Sequence, residues 1–216
     1  MSGLWSGRVA RVTILDSNEK LIELEQSAMD QMRENSVLYF AYGSNMLTER
    51  LHKRCPNARP LGNAVAHGFS LRFCKRSKDG SAKATLVKTD EREQPAYGVL
   101  FELSQSEQAR LDKSEGEGLG YDRDDAFTVF RLADGEEAIA STYRASRQAC
   151  DEGLIPYDWY RALILAGAFQ HGLPDTYIAE LRRTIVWSDP QPQRHSRQEA
   201  LDVLKCVGFH PLQQPP

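Results

Sequence analysis

The chain has 216 residues and a net charge of −3, a balance that argues against nucleic acid as its main partner. Its 41% hydrophobic and 26% charged residues are typical of a soluble globular protein with one sizeable core. No apolar run approaches the roughly 18 residues of a membrane span, and no secretory signal is apparent. The sequence therefore predicts a cytoplasmic protein without a membrane partner.

Cysteine and histidine give no sign of a metal site. The four cysteines are scattered and form no C-x-x-C pair, and the five histidines show no H-x-x-x-H spacing. We therefore predict free thiols at all four cysteine positions, and neither metal nor cofactor. The cysteines are Cys55, Cys74, Cys150 and Cys206.

Residues 1–35 are predicted to form an N-terminal extension. Alternation over residues 8–25 around turn-forming residues indicates a small β-hairpin, while a helix over residues 19–33 is the alternative. Met29 or Met32 could also be the natural start. The main domain is predicted over residues 36–188, and residues 189–216 form a linker and a tail with a short helix at about 196–205.

The main domain shows strand signals first and helix signals last. Strands are predicted at 62–67, 69–74, 84–88, 96–103, 121–132 and 136–144. Ser104-Gln105-Ser106-Glu107 reads as a capping box that opens a helix through Leu111, with Gly116 at its end. Two helices follow, at 157–170 and after Pro174, the second with an apolar face of Tyr177, Ile178, Leu181 and Ile185.

This order of elements predicts an α+β fold. Several strands follow one another without the intervening helices that parallel crossovers need. A small mixed β-barrel or roll with flanking helices fits this arrangement.

The junction after the first strand of the domain is the best candidate for a binding site. An apolar run over residues 37–41 stops at Gly43-Ser44-Asn45, and a polar segment follows. We expect a buried strand, a glycine turn and a helix start capped by Asn45, whose unpaired N–H groups suit a carboxylate or phosphate. The turn matches neither nucleotide-binding loop nor the G-x-S-x-G elbow, and a purely structural connection is the alternative.

Glu115 and three tyrosines are the other candidates. Glu115 lies near a helix C-terminus, whose carbonyls disfavour a negative charge, and such a carboxylate suits proton transfer in both directions. A solvated acidic loop is the alternative for this residue. Tyr121, Tyr143 and Tyr160 could each direct a hydroxyl at a ligand, or could be ordinary core tyrosines.

These motifs together resemble the γ-glutamylcyclotransferase family. The signature is the run from Tyr39 to Arg50, followed in order by Ala84-Thr85-Leu86-Val87, Tyr97-Gly98-Val99-Leu100 and Leu111-Asp112-x-x-Glu115-Gly116. Gly167-Ala168-x-x-x-Gly172-Leu173-Pro174 completes the pattern, which covers about residues 37–185. The match is weaker over residues 77–83, which lack a tryptophan often seen there, and at Lys113-Ser114, which replaces a more acidic pair.

The resemblance implies both a fold and an activity. The family fold is a small mixed β-barrel with flanking helices, and its members release 5-oxoproline from γ-glutamyl compounds without a cofactor. By position, Glu115 resembles the catalytic acid/base. The residues that resemble substrate-binding positions are Tyr39, Phe40, Ala41, Tyr42, Gly43, Ser44, Asn45, Tyr121, Tyr143 and Tyr160. Some members dimerise, so a homodimer is an option here.

Several rival functions remain open at the level of sequence. The substrate could be a γ-glutamyl-amino acid, a γ-glutamylamine or glutathione. The glutathione-specific group typically has leucine where this chain has Asn45, which favours γ-glutamyl-amino acids. A non-catalytic protein on the same scaffold and an unrelated anion-binding module are further alternatives, and the presence of Glu115 counts against the first of them.

Overall fold

The computed structural model describes residue 22 and residues 36–90, 94–115 and 120–209. The hairpin or helix expected in residues 1–35 and the helix end expected at Gly116 lie outside the described residues. None of the described helices has the length and apolar character that a membrane crossing requires.

Five strands close into a barrel. Its strand order is β1-β5-β2-β6-β7, with antiparallel pairs throughout except where β1 meets β7 in parallel at Tyr39 and Ser141. The barrel strands are β1 Ser36–Ala41, β2 Arg59–Ala66, β5 Ala96–Ser104, β6 Tyr121–Arg131 and β7 Glu137–Ala145. The single parallel pair makes the barrel mixed and leaves no open edge, which confirms the predicted α+β barrel.

Two further strands form a separate hairpin. β3 spans Phe69–Arg76 and β4 spans Ala82–Lys88, and the two form a two-stranded antiparallel sheet with each other. The hairpin is tied to the barrel by Thr85, whose hydroxyl oxygen accepts a 2.8 Å hydrogen bond from the Ala145 N–H. This contact brings β4 to the end of β7, where the candidate residues gather.

The prediction of four free thiols is wrong for one pair. Cys74 on β3 is disulfide-bonded to Cys150, 76 positions further on, while Cys55 and Cys206 are free. The segment at Cys150 runs alongside β3, and the Asp151 N–H donates to the Cys74 carbonyl at 2.7 Å. The Cα atoms of Cys74 and Cys150 are 4.7 Å apart, a separation that a disulfide can bridge. Sequence spacing contains no sign of this neighbourhood.

Within the described part of the chain, five α-helices pack around the sheets. Their bounds are α1 Thr48–His52, α2 Gln105–Glu115, α3 Asp158–Gln170, α4 Asp175–Arg183 and α5 His195–Cys206. The capping box is confirmed, because the Ser104 hydroxyl accepts from the Glu107 N–H while the Glu107 carboxylate accepts from the Ser104 N–H. Ile185 lies beyond the end of α4 and is exposed, so its predicted place on the apolar face is wrong.

Helix α3 is buried along most of its length and packs against the turn that follows β1. A Cβ atom at Gly167 would lie 2.6 Å from the Leu47 backbone nitrogen and 2.7 Å from the Met46 Cβ. Only a residue without a side chain allows this approach. The buried helix α3 therefore packs directly against the turn.

Candidate active site

The turn after β1 is tighter than the sequence suggested. Ser44–Met46 form a single 3₁₀ turn closed by the Met46 N–H and the Gly43 carbonyl at 3.0 Å, and α1 begins only at Thr48. The N-cap position of α1 is Leu47, and the side chain of Asn45 bonds to Tyr39, Glu115 and Arg54 instead, so its predicted role as a helix cap is wrong. In the part of the chain that the structure describes, no acceptor bonds the N–H groups of Ser44 and Asn45, which leaves two donors at the turn.

Asn45 instead binds Glu115 across the fold. Its Nδ2 atom donates to Glu115 Oε1 at 2.9 Å, although the two residues are 70 positions apart. The Glu115 side chain, at the end of α2, is only 18% exposed. The Glu115 carboxylate is therefore largely buried and fixed beside the turn by a hydrogen bond. The alternative of a solvated acidic loop does not apply to it.

Arg54 completes this arrangement and was not anticipated from the sequence. Its Nη1 atom donates to Glu115 Oε1 at 3.1 Å and to Asn45 Oδ1 at 2.6 Å. The guanidinium fixes the orientation of the carboxylate. Both bonds use Oε1, and among the described residues none donates to Oε2. The second oxygen is left for a ligand.

A second arginine lies one helical turn before Arg54. Arg50 donates from Nε to the Ser44 hydroxyl at 3.1 Å. Burial, and then the charge of Arg54, lower the pKa of Arg50 to about 10, so it remains a cation at neutral pH. The spacing of the two arginines, four residues apart after the turn, is the signal by which the sequence could have revealed this pair.

Three tyrosine hydroxyls are committed to protein acceptors. Tyr42 donates to the Tyr143 carbonyl, Tyr121 donates to the Ala84 carbonyl at 2.6 Å, and Tyr143 donates to Asp112 Oδ1 at 2.5 Å. Burial raises the pKa of each of them. These side chains therefore act as neutral walls whose positions are fixed by their own hydrogen bonds.

Two other tyrosine hydroxyls accept hydrogen bonds from the protein instead of donating them. The Tyr160 hydroxyl accepts from the Ala84 N–H at 3.1 Å, and the Tyr39 hydroxyl accepts from Asn45 Nδ2 at 3.1 Å. Neither hydroxyl donates to any acceptor among the residues that the structure describes. Burial, opposed by the bond from Ala84 and reinforced by the charge of Glu115, raises the pKa of Tyr160 to about 12. Both hydroxyls can thus donate to a ligand.

These groups line one narrow cleft with a cavity volume of about 30 Å³. It is lined by Tyr39, Tyr42, Gly43, Ser44, Asn45, Ala84, Glu115, Tyr121, Tyr143 and Tyr160. Phe40 and Ala41, although predicted to bind substrate, lie in the core, where Phe40 stacks on Phe127 with ring centroids 5.9 Å apart. Strand alternation explains the position of Phe40, because Tyr39 lines the cleft and its neighbour Phe40 must face the other way. It does not explain the position of Ala41, which shares the face of Tyr39.

The chemistry of the cleft is that of proton transfer and anion binding. It combines the Glu115 carboxylate, whose Oε2 accepts from none of the described residues, with two backbone N–H donors and two tyrosine hydroxyl donors. Within the described ranges, no group of three or more His, Cys, Asp or Glu residues is placed to hold a metal ion. Sequence reasoning missed Arg54, Asp112 and the backbone of Ala84, although the last two lie inside motifs that the sequence singled out.

Comparison with known proteins agrees with this geometry. The model of the AIG2-like family matches residues 96–181. A γ-glutamylcyclotransferase from Bos taurus is 33% identical over 151 residues, which are 68% of this chain and 77% of the bovine protein. A second, from Homo sapiens, is 31% identical over 158 residues, which are 69% of this chain and 79% of the human protein.

A solved structure of a γ-glutamyl cyclotransferase has the same fold. It superposes with a TM-score of 0.69 at 26% identity, covering 77% of this chain and 98% of that one. Likeness of sequence and of structure thus extends over most of both chains. This chain belongs to the γ-glutamylcyclotransferase family of enzymes, as the sequence predicted.

Proposed function

We propose that this protein converts γ-glutamyl-amino acids into 5-oxoproline and a free amino acid, with Glu115 as general acid and base. The observation that carries the proposal is the hydrogen bond between Asn45 and Glu115, which joins the turn to a carboxylate with one unengaged oxygen. The curated relatives from Bos taurus and Homo sapiens are named γ-glutamylcyclotransferases.

The reaction is an intramolecular aminolysis, in which the substrate supplies its own nucleophile. Glu115 Oε2 takes a proton from the α-ammonium group, and the freed nitrogen attacks the γ-carbonyl carbon. A carbon–nitrogen bond forms within the glutamyl group, and the bond to the leaving amine breaks. The attacking nitrogen loses a second proton as the lactam forms, and Glu115 relays both protons in turn to the leaving amine, so that the amine departs as an ammonium group and the enzyme ends the cycle unchanged.

The donors of the cleft serve the charged parts of this reaction. The N–H groups of Ser44 and Asn45 and the hydroxyl of Tyr160 can hold the α-carboxylate and the oxyanion that develops on the γ-carbonyl. Holding the glutamyl chain bent brings nitrogen and carbonyl carbon together, an effect that can lower the barrier by several kcal/mol. This chemistry therefore requires two things: a general acid and base, and a site that holds the glutamyl chain in a bent conformation.

Asn45 supports γ-glutamyl-amino acids over glutathione as substrates. A leucine at this position, typical of the glutathione-specific group, has no side-chain N–H group with which to bind Glu115 and Tyr39. A non-catalytic role is the less favoured alternative, because a binding protein has no need of a carboxylate held by both Asn45 and Arg54 with one free oxygen.

The decisive variant is Glu115→Gln. Glutamine keeps the size of the side chain and can still accept from Asn45, but it cannot carry the proton. We expect the rate of 5-oxoproline release to fall by about 10²–10⁴-fold with an unchanged melting temperature. The assay uses γ-glutamyl-alanine, γ-glutamyl-lysine and glutathione as separate substrates.

The matched control is Glu152→Gln, a change at an exposed carboxylate, which should leave the activity intact. Near-wild-type turnover by Glu115→Gln would remove Glu115 from the mechanism. Failure of the wild-type protein to release 5-oxoproline from any of the three compounds would refute the activity itself.

We also propose, from the sequence, that the protein is cytoplasmic and that it forms a homodimer. The proposed partner is a small γ-glutamyl compound. Size-exclusion chromatography with light scattering would give the oligomeric state, and fractionation of the source cells would give the location.

A further inference from the structure

Lys75 lies beside the cleft, outside the residues that line it. It is on β3, and its Nζ atom is 4.8 Å from the centroid of the Tyr121 ring, which forms one wall of the cleft. A Cβ atom at Gly120 would lie 3.1 Å from Lys75 Cε and 3.4 Å from Nζ. The absence of a side chain at Gly120 therefore lets the lysine lie against the start of β6.

The ammonium group of Lys75 has no carboxylate partner at ion-pair distance among the described residues. The other lysine facing this region, Lys83, differs in this respect, because its Nζ lies 2.7 Å from Asp79 Oδ2. Arg54 is likewise paired with Glu115. Lys75 thus contributes a positive charge that the described protein side chains do not neutralise.

The Lys75 ammonium group interacts electrostatically with Glu115 in the candidate active site. Burial lowers the pKa of Lys75, and the charge of Glu115 opposes that shift more than any other neighbouring charge does. The two groups are nevertheless too far apart to form an ion pair. Partial burial without a partner costs free energy, which an anion bound between Lys75 and the cleft would recover.

The proposed reaction supplies an anion of the right kind at this place. The leaving nitrogen of a γ-glutamyl-amino acid must come close to Glu115, because Glu115 returns the proton to it. In an α-amino acid the carboxylate is separated from that nitrogen by one carbon atom. The leaving carboxylate therefore lies near Glu115 but outside the glutamyl pocket.

We propose that Lys75 binds the α-carboxylate of the leaving amino acid and thereby selects γ-glutamyl-amino acids over γ-glutamylamines that lack this group. The proposal rests on the proposed function of the cleft and names a subsite for its substrate. Lys75 acts here as a specificity residue: it touches the leaving group and takes no part in proton transfer.

The test compares two substrates that differ only in the carboxylate, γ-glutamyl-alanine and γ-glutamylethylamide. The wild-type enzyme should prefer γ-glutamyl-alanine by about tenfold or more in kcat/KM, as expected for a charge-assisted contact. Lys75→Met should remove most of this preference by raising KM for γ-glutamyl-alanine, and should leave kcat/KM for the ethylamide unchanged. Lys75→Arg should retain the preference, and Lys78→Met, at an exposed lysine nearby, is the control.

The possible outcomes separate the two proposals. If the wild-type enzyme converts neither compound, the proposed function fails and the subsite fails with it. If it converts both equally well, or if Lys75→Met slows both by the same factor, the function stands and the carboxylate subsite is wrong. The wild-type preference should also fall as salt is raised, a measurement that needs no variant to fold.

Discussion

Asn45 is the residue through which the turn and the catalytic carboxylate are joined. Its amide donates to Glu115 and to Tyr39, and it accepts from Arg54. A carboxamide is the side chain of this size that can donate and accept at once. An aspartate at this position would place a second negative charge against Glu115. Asparagine avoids this repulsion and donates a hydrogen bond to the carboxylate instead.

Gly43→Ala tests the role of the turn at the residue scale. The φ of Gly43 is −109°, outside the left-handed region that favours glycine, and a Cβ atom there would lie 3.7 Å from both Ala84 Cβ and the Tyr160 hydroxyl. The methyl group would therefore fit the protein but occupy the cleft. We expect an unchanged melting temperature and a KM for γ-glutamyl-alanine raised by about tenfold, which corresponds to about 1.4 kcal/mol, because the added methyl group takes space that the substrate would occupy.

Steady-state kinetics and a thermal melt on the same preparation check this prediction. Unchanged kinetics in a folded Gly43→Ala variant would mean that the substrate does not approach the turn. A lower melting temperature would instead show that the glycine serves packing.

Residue-scale features of the site were predictable only where a motif contains them. The turn, Glu115 and the tyrosines were found because they recur in a recognisable order along the chain. Arg54 was missed although its spacing from Arg50 offered a weak signal, and the backbone of Ala84 was missed because an ordinary alanine in a strand has no distinctive pattern. Their roles depend on what lies opposite them in the fold.

At the scale of elements, local patterns predicted the strands and helices of the described domain well. Long alternating runs and the capping box come from interactions between residues close in sequence, so they can be read directly. The strand order β1-β5-β2-β6-β7, the parallel contact between β1 and β7, and the disulfide were not predictable in this way. Each of them joins segments that are far apart along the chain.

The contact between α3 and the turn predicts that Gly167→Ala impairs both stability and activity. A methyl group at this position would overlap the backbone of Leu47 and the side chain of Met46, so the helix or the turn must move. Overpacking of this kind costs about 1–3 kcal/mol. In a domain of this size each kcal/mol lowers the melting temperature by about 2–4 °C.

Differential scanning calorimetry and the 5-oxoproline assay together measure this effect. Gly153→Ala is the matched control, because Gly153 is exposed and an added Cβ would meet only one side-chain oxygen, at 3.3 Å. The interpretation is that the helix positions the turn, so full activity in a destabilised Gly167→Ala protein would argue against it.

At the scale of the whole molecule, the site exists only in the assembled fold. The turn after β1, strand β4, the end of α2 and the start of α3 each contribute a side chain or a backbone group. The hydrogen bonds that join them span 70 to 101 positions of the chain. Contacts of this range form only when the tertiary structure forms, and a sequence can reveal them only through resemblance to a known family.

The same assembly predicts how the stability of the protein depends on pH. Glu107 is buried, and burial alone would raise its pKa, but hydrogen bonds from the backbone N–H groups of Asn57 and Ser104 outweigh burial and lower the pKa below 4.5. Because the folded protein binds this proton more weakly than the unfolded chain does, the contribution of Glu107 is complete above pH 4.5. It is lost as the pH falls through the lowered pKa.

Glu107→Gln should therefore reduce the free energy of unfolding at pH 7 by about 1–3 kcal/mol, because one buried backbone N–H group loses its acceptor. The same variant should show a shallower loss of stability between pH 4.5 and pH 3 than the wild-type protein shows. Urea unfolding across this range measures both effects, with the exposed Glu137→Gln as control. Parallel pH profiles for Glu107→Gln and the wild type would mean that other groups govern acid unfolding, since the contribution of Glu107 requires a carboxylate that both N–H groups stabilise only in the folded protein.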